Sequence, residues 1–268
     1  MNNDEVTMLI LSCDAFSDLW DGHARLLDEN WPDRNIPTYI VTDAPNDWKH
    51  EGVTVLSIGA DAEWSDRLFG AINSVVDTEF VFVTLDDYFL VKQVDDSQIC
   101  NLVKTMKEES LDYVRLFPRP KKATREELPG HAGLRWVDTS CMYSVNLYSG
   151  VWKRDFLAST VRNPENAWQY EVALHKRAQE YGARCAVSER KEFVILDVVR
   201  KGKLLHSAAA YFRKHPGLYE GKRDVNTWGY EIRLTIQQLA SRHLPQPFHS
   251  LAKSIARKCG MRFFSDSV

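Results

Sequence analysis

The sequence predicts an α/β fold in which a mostly parallel sheet is flanked by helices and followed by a helical C-terminal extension. Three observations predict it. Short apolar runs without alternation, such as Phe80 to Leu85, read as strands covered on both faces. Stretches of helical period separate several of them, in the order strand, helix, strand, strand, helix, strand of a doubly wound sheet with right-handed crossovers. Acids recur where the runs stop, at Asp14, at Asp43 and at the pair Asp86-Asp87.

Val6 to Leu11 is expected to be the first buried strand, stopped by Ser12-Cys13-Asp14-Ala15-Phe16-Ser17-Asp18. Ser17 or Asp18 can cap a helix that carries Leu19, Trp20, His23, Leu26 and Leu27 on one face, and Trp31-Pro32 breaks it. Pro37 to Asp43 and Val53 to Ile58 are the second and third strands, and Trp64 to Val76 is a helix with Leu68, Ala71, Ile72 and Val75 inward. The strand ending in Asp86-Asp87 follows, then a helix from Ser97 to Glu108 and a strand at Asp112 to Leu116. Pro118 to Arg135, rich in proline and basic residues, reads as a long mobile loop of the kind that often serves as a lid. Trp136 to Tyr148 is strand-like, and Ser149 to Leu157 turns into a helix. Asn163 to Trp168 precede a helix from Gln169 to Tyr181, which Gly182 ends. Val187 to Val199 holds one or two more strands, and the chain reads as helical from Tyr230.

Composition narrows the function. Among 268 residues, 44% are hydrophobic and 26% charged, ordinary values for a globular chain, and the net charge of -3 gives no reason to expect nucleic-acid binding. The five cysteines are scattered, with no CxxC pair and no secretory signal before them, which leads to the expectation of reduced thiols in a cytoplasmic protein. No run approaches the length of apolar residues that a membrane span needs. From Arg242 to Phe264, basic residues alternate with Leu251, Ile255, Met261, Phe263 and Phe264. Such a segment can rest peripherally on the inner face of an anionic membrane, or pack back on the domain with a solvated basic face.

The acids at the strand ends carry the chemistry. Ligands of open α/β sheets bind at the C-terminal ends of the strands, so Asp14, Asp43, Asp86 and Asp87 converge where a ribose, a cation and a phosphate can be handled together. A solvated turn would also account for acids here, but Tyr88-Phe89-Leu90 directly behind the pair argue against it. Two carboxylates beside apolar bulk call for a divalent cation, Mn2+ or Mg2+. Neither a GxGxxG after the first strand nor a P-loop is present. Lys121, Lys122, Arg125, Arg200, Lys201 and Lys203 are cations that can share phosphate charge or simply face solvent.

Leu9-Ile10-Leu11-Ser12-Cys13-Asp14, Trp64-Ser65-Asp66-Arg67-Leu68, Leu85-Asp86-Asp87-Tyr88-Phe89-Leu90, the segment Ser149 to Leu157 and Trp168-Gln169-Tyr170-Glu171 together resemble the nucleotide-sugar-dependent glycosyltransferases of the GT-A fold, especially those of bacterial surface-polysaccharide synthesis. The resemblance spans roughly residues 5 to 210 as spaced motifs. It implies a GT-A-like, Rossmann-like domain over residues 1–228 and a helical, basic extension over 229–268. It implies a nucleotide-binding set of Ser12, Asp14, Asp43, Arg67 and Asp86, and a metal set of Asp86, Asp87 and His206. Asp86 and Asp87 take the place of the family's DxD motif, and the position of its second acid is held by Tyr88. Glu171 matches the acid that deprotonates the acceptor hydroxyl in inverting members, and a first-turn Glu favoured by the helix dipole is its structural alternative. Trp152, Trp168 and Tyr170 can stack on acceptor or donor sugars, or fill the core. The implied partners are a nucleotide-sugar donor and a glycan or lipid-linked acceptor. A sugar nucleotidyltransferase uses a related sheet, but no glycine-rich, lysine-bearing loop follows the first strand. A non-catalytic glycan-assembly partner is the reading from outside enzymology.

Overall fold

The computed structural model describes residues 5–162 and 164–243. Its core is a nine-stranded sheet. Four parallel strands form one half: β1 (Val6–Leu11), β2 (Thr38–Thr42), β3 (Thr54–Ser57) and β4 (Phe80–Leu85), in spatial order β3-β2-β1-β4. The other half continues through β9 (Gly150–Lys153), β6 (Tyr113–Arg115), β10 (Cys185–Ser188), β8 (Leu134–Val137) and β7 (Thr124–Glu127). Strand β9 runs antiparallel to both β4 and β6, and β10 returns parallel to β6.

The period-two geometry of a strand splits the apolar runs between two cores. Met8, Ile10, Phe80 and Phe82 face a cluster with Trp31, at the end of the first helix, and Ile99, Leu102 and Met106 of α3 (Asp96–Glu108). Leu9, Leu11, Val81 and Val83 face the other side, against Leu68 and Ile72 of α2 (Trp64–Val75), Phe156 of α4 (Arg154–Thr160) and Leu174 of α5 (Ala167–Tyr181). A third cluster joins Leu19 and Leu26, at and within α1 (Trp20–Asn30), to Phe89 of β5 (Tyr88–Leu90), Val198, and Phe212 of α6 (His206–Lys214). Strand β5 pairs antiparallel with β11 (Ile195–Asp197) outside the main sheet, and β12 (Val199–Arg200) pairs with β13 (Lys203–Leu204).

Helix ends follow the local chemistry. Asn166 and Gln169 form a reciprocal capping box at the start of α5, and Gly182 ends it in the left-handed region at φ 73°. At α1 the expected caps are not used. A 3-10 turn over Asp14–Leu19 leads into the helix, and Asp18 is engaged elsewhere, by Arg223.

Three stretches differ from the sequence expectation. Trp136 to Tyr148 is strand only as far as Val137, because Asp138 turns the chain there, its Oδ1 accepting from the Ser140 N–H at 2.8 Å. Pro118 to Arg135 is not one long loop, because Thr124–Glu127 and the start of Leu134–Val137 form an antiparallel hairpin at the sheet edge. Its proline and charges are the composition of an edge strand, and Ala123, Leu128 and Leu134 anchor it in the core. Ser149 to Leu157 is helical only from Arg154, since Gly150–Lys153 is the interior antiparallel strand. Gly150 is required there: a Cβ would meet the Tyr113 ring and the Val114 carbonyl, each at 2.9 Å.

The last described element is α7 (Trp228–His243). No helix among the described residues is long and apolar enough to cross a membrane. The basic, apolar segment that could rest on a membrane or pack back on the domain lies, beyond His243, outside the described residues.

Candidate functional site

The tips of β1, β2 and β4 are joined by backbone bonds and carry two side-chain pairs; the Ser12 N–H donates to the Val41 carbonyl at 2.9 Å. The Asp86 N–H donates to the Leu11 carbonyl (3.3 Å), which turns the residue after β4 toward the end of β1. Ser12 Oγ donates to Asp86 Oδ2 and accepts from Trp20 Nε1 at 2.8 Å. The Asp14 N–H donates to Asp43 Oδ1 (2.7 Å), and Asn46 Nδ2 donates to Asp14 Oδ1 (2.7 Å). Ser12, Asp14, Asp43 and Asp86 are therefore brought together, as the sequence predicted.

Arg67 belongs to the same edge. Its NH1 donates to the Ala62 carbonyl at 2.9 Å, its charge acts on Asp43 and Cys13, and its buried Nε has no hydrogen-bond partner among the described residues. Burial works to raise the Asp43 carboxyl. The N–H donors of Asp14 and its own backbone, the Thr42 hydroxyl and Arg67 outweigh it, and Asp43 lies below its ordinary value. Asp86 goes the other way. Burial pushes it up to about 7 against the opposing bond from Ser12.

Asp87 meets a second group. Tyr88 pairs with Asp197 in the β5–β11 ladder, and the Val198 N–H donates to the Asp87 carbonyl at 2.9 Å. Asp197 is ion-paired with Arg200. Asp87 Oδ1 and Asp197 Oδ1 are both buried without a hydrogen-bond partner among the described residues. Burial, then the neighbouring Asp86 and Asp197 charges, hold the Asp87 carboxyl well above the ordinary range. Over this acid group lies an aromatic stack, with the Tyr148 ring 5.6 Å from Tyr88 and 4.2 Å from Phe117.

Glu171, in the second turn of α5, accepts from the Leu147 N–H at 3.1 Å through Oε1. Burial raises its carboxyl above the usual value, opposed by that N–H and by Arg200. Arg200 thus acts electrostatically on Asp87, Asp197 and Glu171 at once.

His206 is bonded to a different acid. Its Nδ1 is 2.8 Å from Glu231 Oε1, which also accepts from its backbone N–H, and Trp228 stacks on its ring with centroids 3.7 Å apart. Among the described residues no group of three or more His, Cys, Asp or Glu side chains could hold a metal ion, so His206 is not joined to Asp86 and Asp87 in such a group. Trp152 and Tyr170 are fully buried, packed on Tyr113 and Trp64, and neither offers a ring face to a sugar. Trp168 is 59% exposed at the start of α5.

No protein-family model matches the chain, and no curated protein matches it. Among solved structures, the mannosyltransferase PcManGT from Pyrobaculum calidifontis, in complex with GDP-Man and Mn2+, is 14% identical, with 96% of this chain and 81% of that one covered at a TM-score of 0.50. The chain has a GT-A-like fold. The first S. aureus TarS structure, residues 1–349, is 12% identical at a TM-score of 0.47, over 70% of this chain and 59% of that one. This chain thus spans less than two thirds of the TarS length. A CMP:2-keto-3-deoxy-manno-octonic acid synthetase complexed with CTP is 13% identical at 0.44, over 79% and 96%.

Within the GT-A-like fold, sequence reasoning missed Asp197, Trp20 and Asn46. Asp197 stands three residues before Arg200 at the end of an apolar run, the same signal that singled out Asp86 and Asp87. Trp20 read only as an apolar position of α1, yet its indole N–H orients Ser12.

Proposed function

We propose that the protein is a nucleotide-sugar-dependent glycosyltransferase that moves a sugar to a hydroxyl of a glycan or lipid-linked acceptor in surface-polysaccharide synthesis, with inversion. The observation that carries this reading is the two bonded pairs Ser12–Asp86 and Asp14–Asp43 at three adjacent strand tips of a GT-A-like sheet.

Each residue type suits its task. Asp43 and Asp14 offer acceptors to a base and ribose, Asp86 holds a ribose hydroxyl, and Arg67 supplies positive charge to the diphosphate. PcManGT was solved with Mn2+. The orphaned Asp87 Oδ1 and Asp197 Oδ1 are hard oxygen donors, and they fit a divalent cation that takes its remaining ligands from phosphate and water. A bound cation supplies charge stabilisation to the departing nucleoside diphosphate. Arg200 balances the acids before the ligand arrives. Glu171, raised towards neutrality by burial, takes the proton of the acceptor hydroxyl. Tyr148, stacked on Phe117, feels the charges of Arg200, Asp197 and Glu171.

The test is a panel of nucleotide sugars with and without Mn2+, followed by nucleoside diphosphate release and by thermal shift. Cation-dependent binding of one nucleoside diphosphate, with slow donor hydrolysis, is expected from the wild type, and Asp87→Ala is expected to lose it. Absence of binding to every nucleotide in the panel overturns the reading, and pyrophosphate formation from a sugar phosphate and a nucleoside triphosphate replaces it.

A further inference from the structure

We propose that the protein carries a second ligand site, for the oxyanion group of a small acidic molecule, at the sheet edge opposite the strand tips described above. A cavity of about 520 Å³ opens there, at the N-terminal ends of β2 and β3, lined by residues 34–39, His50 and residues 52–54. That volume suits a small molecule rather than a scatter of waters.

The chemistry of its lining points to an anion. The Arg34 side chain is only 5% exposed, a rare degree of burial for a guanidinium. NH2 donates to Asp28 Oδ1 at 2.9 Å, whereas NH1 is buried without a hydrogen-bond partner among the described residues. A buried donor left unmade costs about 1–3 kcal/mol, more when it is charged. Asp28 is shared with His50, whose Nε2 is 2.6 Å from Oδ2, so one carboxylate serves two basic side chains. The cluster therefore keeps donor capacity that the described residues do not use. Ile36 and Val53 give the cavity an apolar wall, and the site can seat a carbon body behind a carboxylate or phosphate.

Gly52 gives the site a handle. Its φ is +73°, and a Cβ built there lies 3.7 Å from Arg34 NH2 with no other neighbour within 4 Å. Asp and Asn are the side chains that tolerate this backbone best. Gly52→Asp therefore sets a carboxylate where the ligand's would sit, and Gly52→Asn sets the same shape without the charge.

The experiment titrates the full-length protein with inorganic phosphate and, separately, with acetate, at constant ionic strength, and follows backbone amide NMR shifts. Saturable shifts at residues 34–39 and 50–54 are expected for one or both anions, and which anion binds tells a phosphate ester from a carboxylate ligand. Gly52→Asn is expected to retain the response and Gly52→Asp to weaken it at least tenfold. Arg34→Lys, which keeps the charge and loses the planar fork, is expected to fall between them. Shifts that do not saturate, that map to Arg67 or Arg200 instead, or that persist unchanged in Gly52→Asp overturn the proposal. The site is independent of the transferase reading, because none of its residues belongs to the nucleotide edge.

Discussion

Asp87 and Asp197 are set side by side by the Val198 N–H bond to the Asp87 carbonyl at 2.9 Å, and each carboxylate keeps its Oδ1 buried without a partner among the described residues. Buried acceptors are usually satisfied. These two exceptions are the acceptors that the proposed cation would complete. Asp197→Asn is expected to weaken Mn2+-dependent nucleoside diphosphate binding at least tenfold and, because it breaks the ion pair with Arg200, to lower cation-free thermal stability as well. Titration calorimetry with and without Mn2+ measures it, and unchanged binding would remove Asp197 from the cation shell.

Glu171 gives a pH prediction with a definite sign. Its carboxyl lies above the ordinary value because it is buried. As a base it works only when ionised, so turnover rises with pH through an apparent pKa above about 4.3, the usual Glu value. The folded state binds this proton more tightly than the unfolded chain does. Glu171's contribution to stability is therefore present in full below the usual value and is lost as pH rises through the folded one. Glu171→Gln is expected to lose about 100- to 10,000-fold in transfer, to keep nucleotide binding, and to flatten that stability slope.

The parallel half of the sheet was legible because its signals are local. Val6 to Leu11 is continuous apolar chain and forms a strand with those bounds, and the Asn166 cap and Gly182 stop bracket α5. The convergence of Ser12, Asp14, Asp43 and Asp86 followed from the parallel order alone. What escaped is what pairing creates. Gly150 to Lys153 becomes an interior strand only because β4 and β6 flank it, and Asp197 reaches Asp87 only through the β5–β11 ladder. The roles expected of Trp152 and Tyr170 rested on aromatic identity, which cannot separate a ring that fills the core from one that lines a cleft.

His23 gives a stability prediction of the opposite sign to Glu171. Its ring is fully buried, with Nδ1 3.2 Å from the Asp86 carbonyl and an edge contact to Phe89. Burial lowers its pKa to about 4, so the folded state holds it neutral where the unfolded chain takes up a proton. Its contribution is complete above the ordinary histidine value and is lost as pH falls towards 4, up to about 3 kcal/mol in all. His23→Gln keeps a donor for the carbonyl and removes the titration. Denaturant unfolding between pH 4 and pH 7 is expected to show a shallower slope in the variant, and equal slopes would place the acid sensitivity elsewhere.

Gly22→Ala tests how the segment after α6 is held against the nucleotide edge. Gly22 lies inside α1, where alanine normally gains about 1 kcal/mol of helix propensity. Here a Cβ would overlap the Leu218 carbonyl and come within 2.9 Å of Phe89 Cε2. The backbone around Leu218 must then move, and that segment also carries Tyr219 and Arg223. Both bond Asp18, at 3.0 Å from the Tyr219 hydroxyl and 2.8 Å from Arg223 Nε, and Arg223 NH2 further holds the Ala15 carbonyl at 2.8 Å. Asp18 and Ala15 belong to the turn that follows Ser12 and Asp14. Overpacking typically costs about 1–3 kcal/mol, which exceeds the propensity gain. Gly22→Ala is therefore expected to be destabilised and to expose the segment around residues 215–225 to limited proteolysis. Arg223→Ala leaves the glycine contact intact and is expected to loosen the same segment. A net gain in stability on Gly22→Ala would mean that the close approach of Leu218 to α1 is not what holds the segment in place.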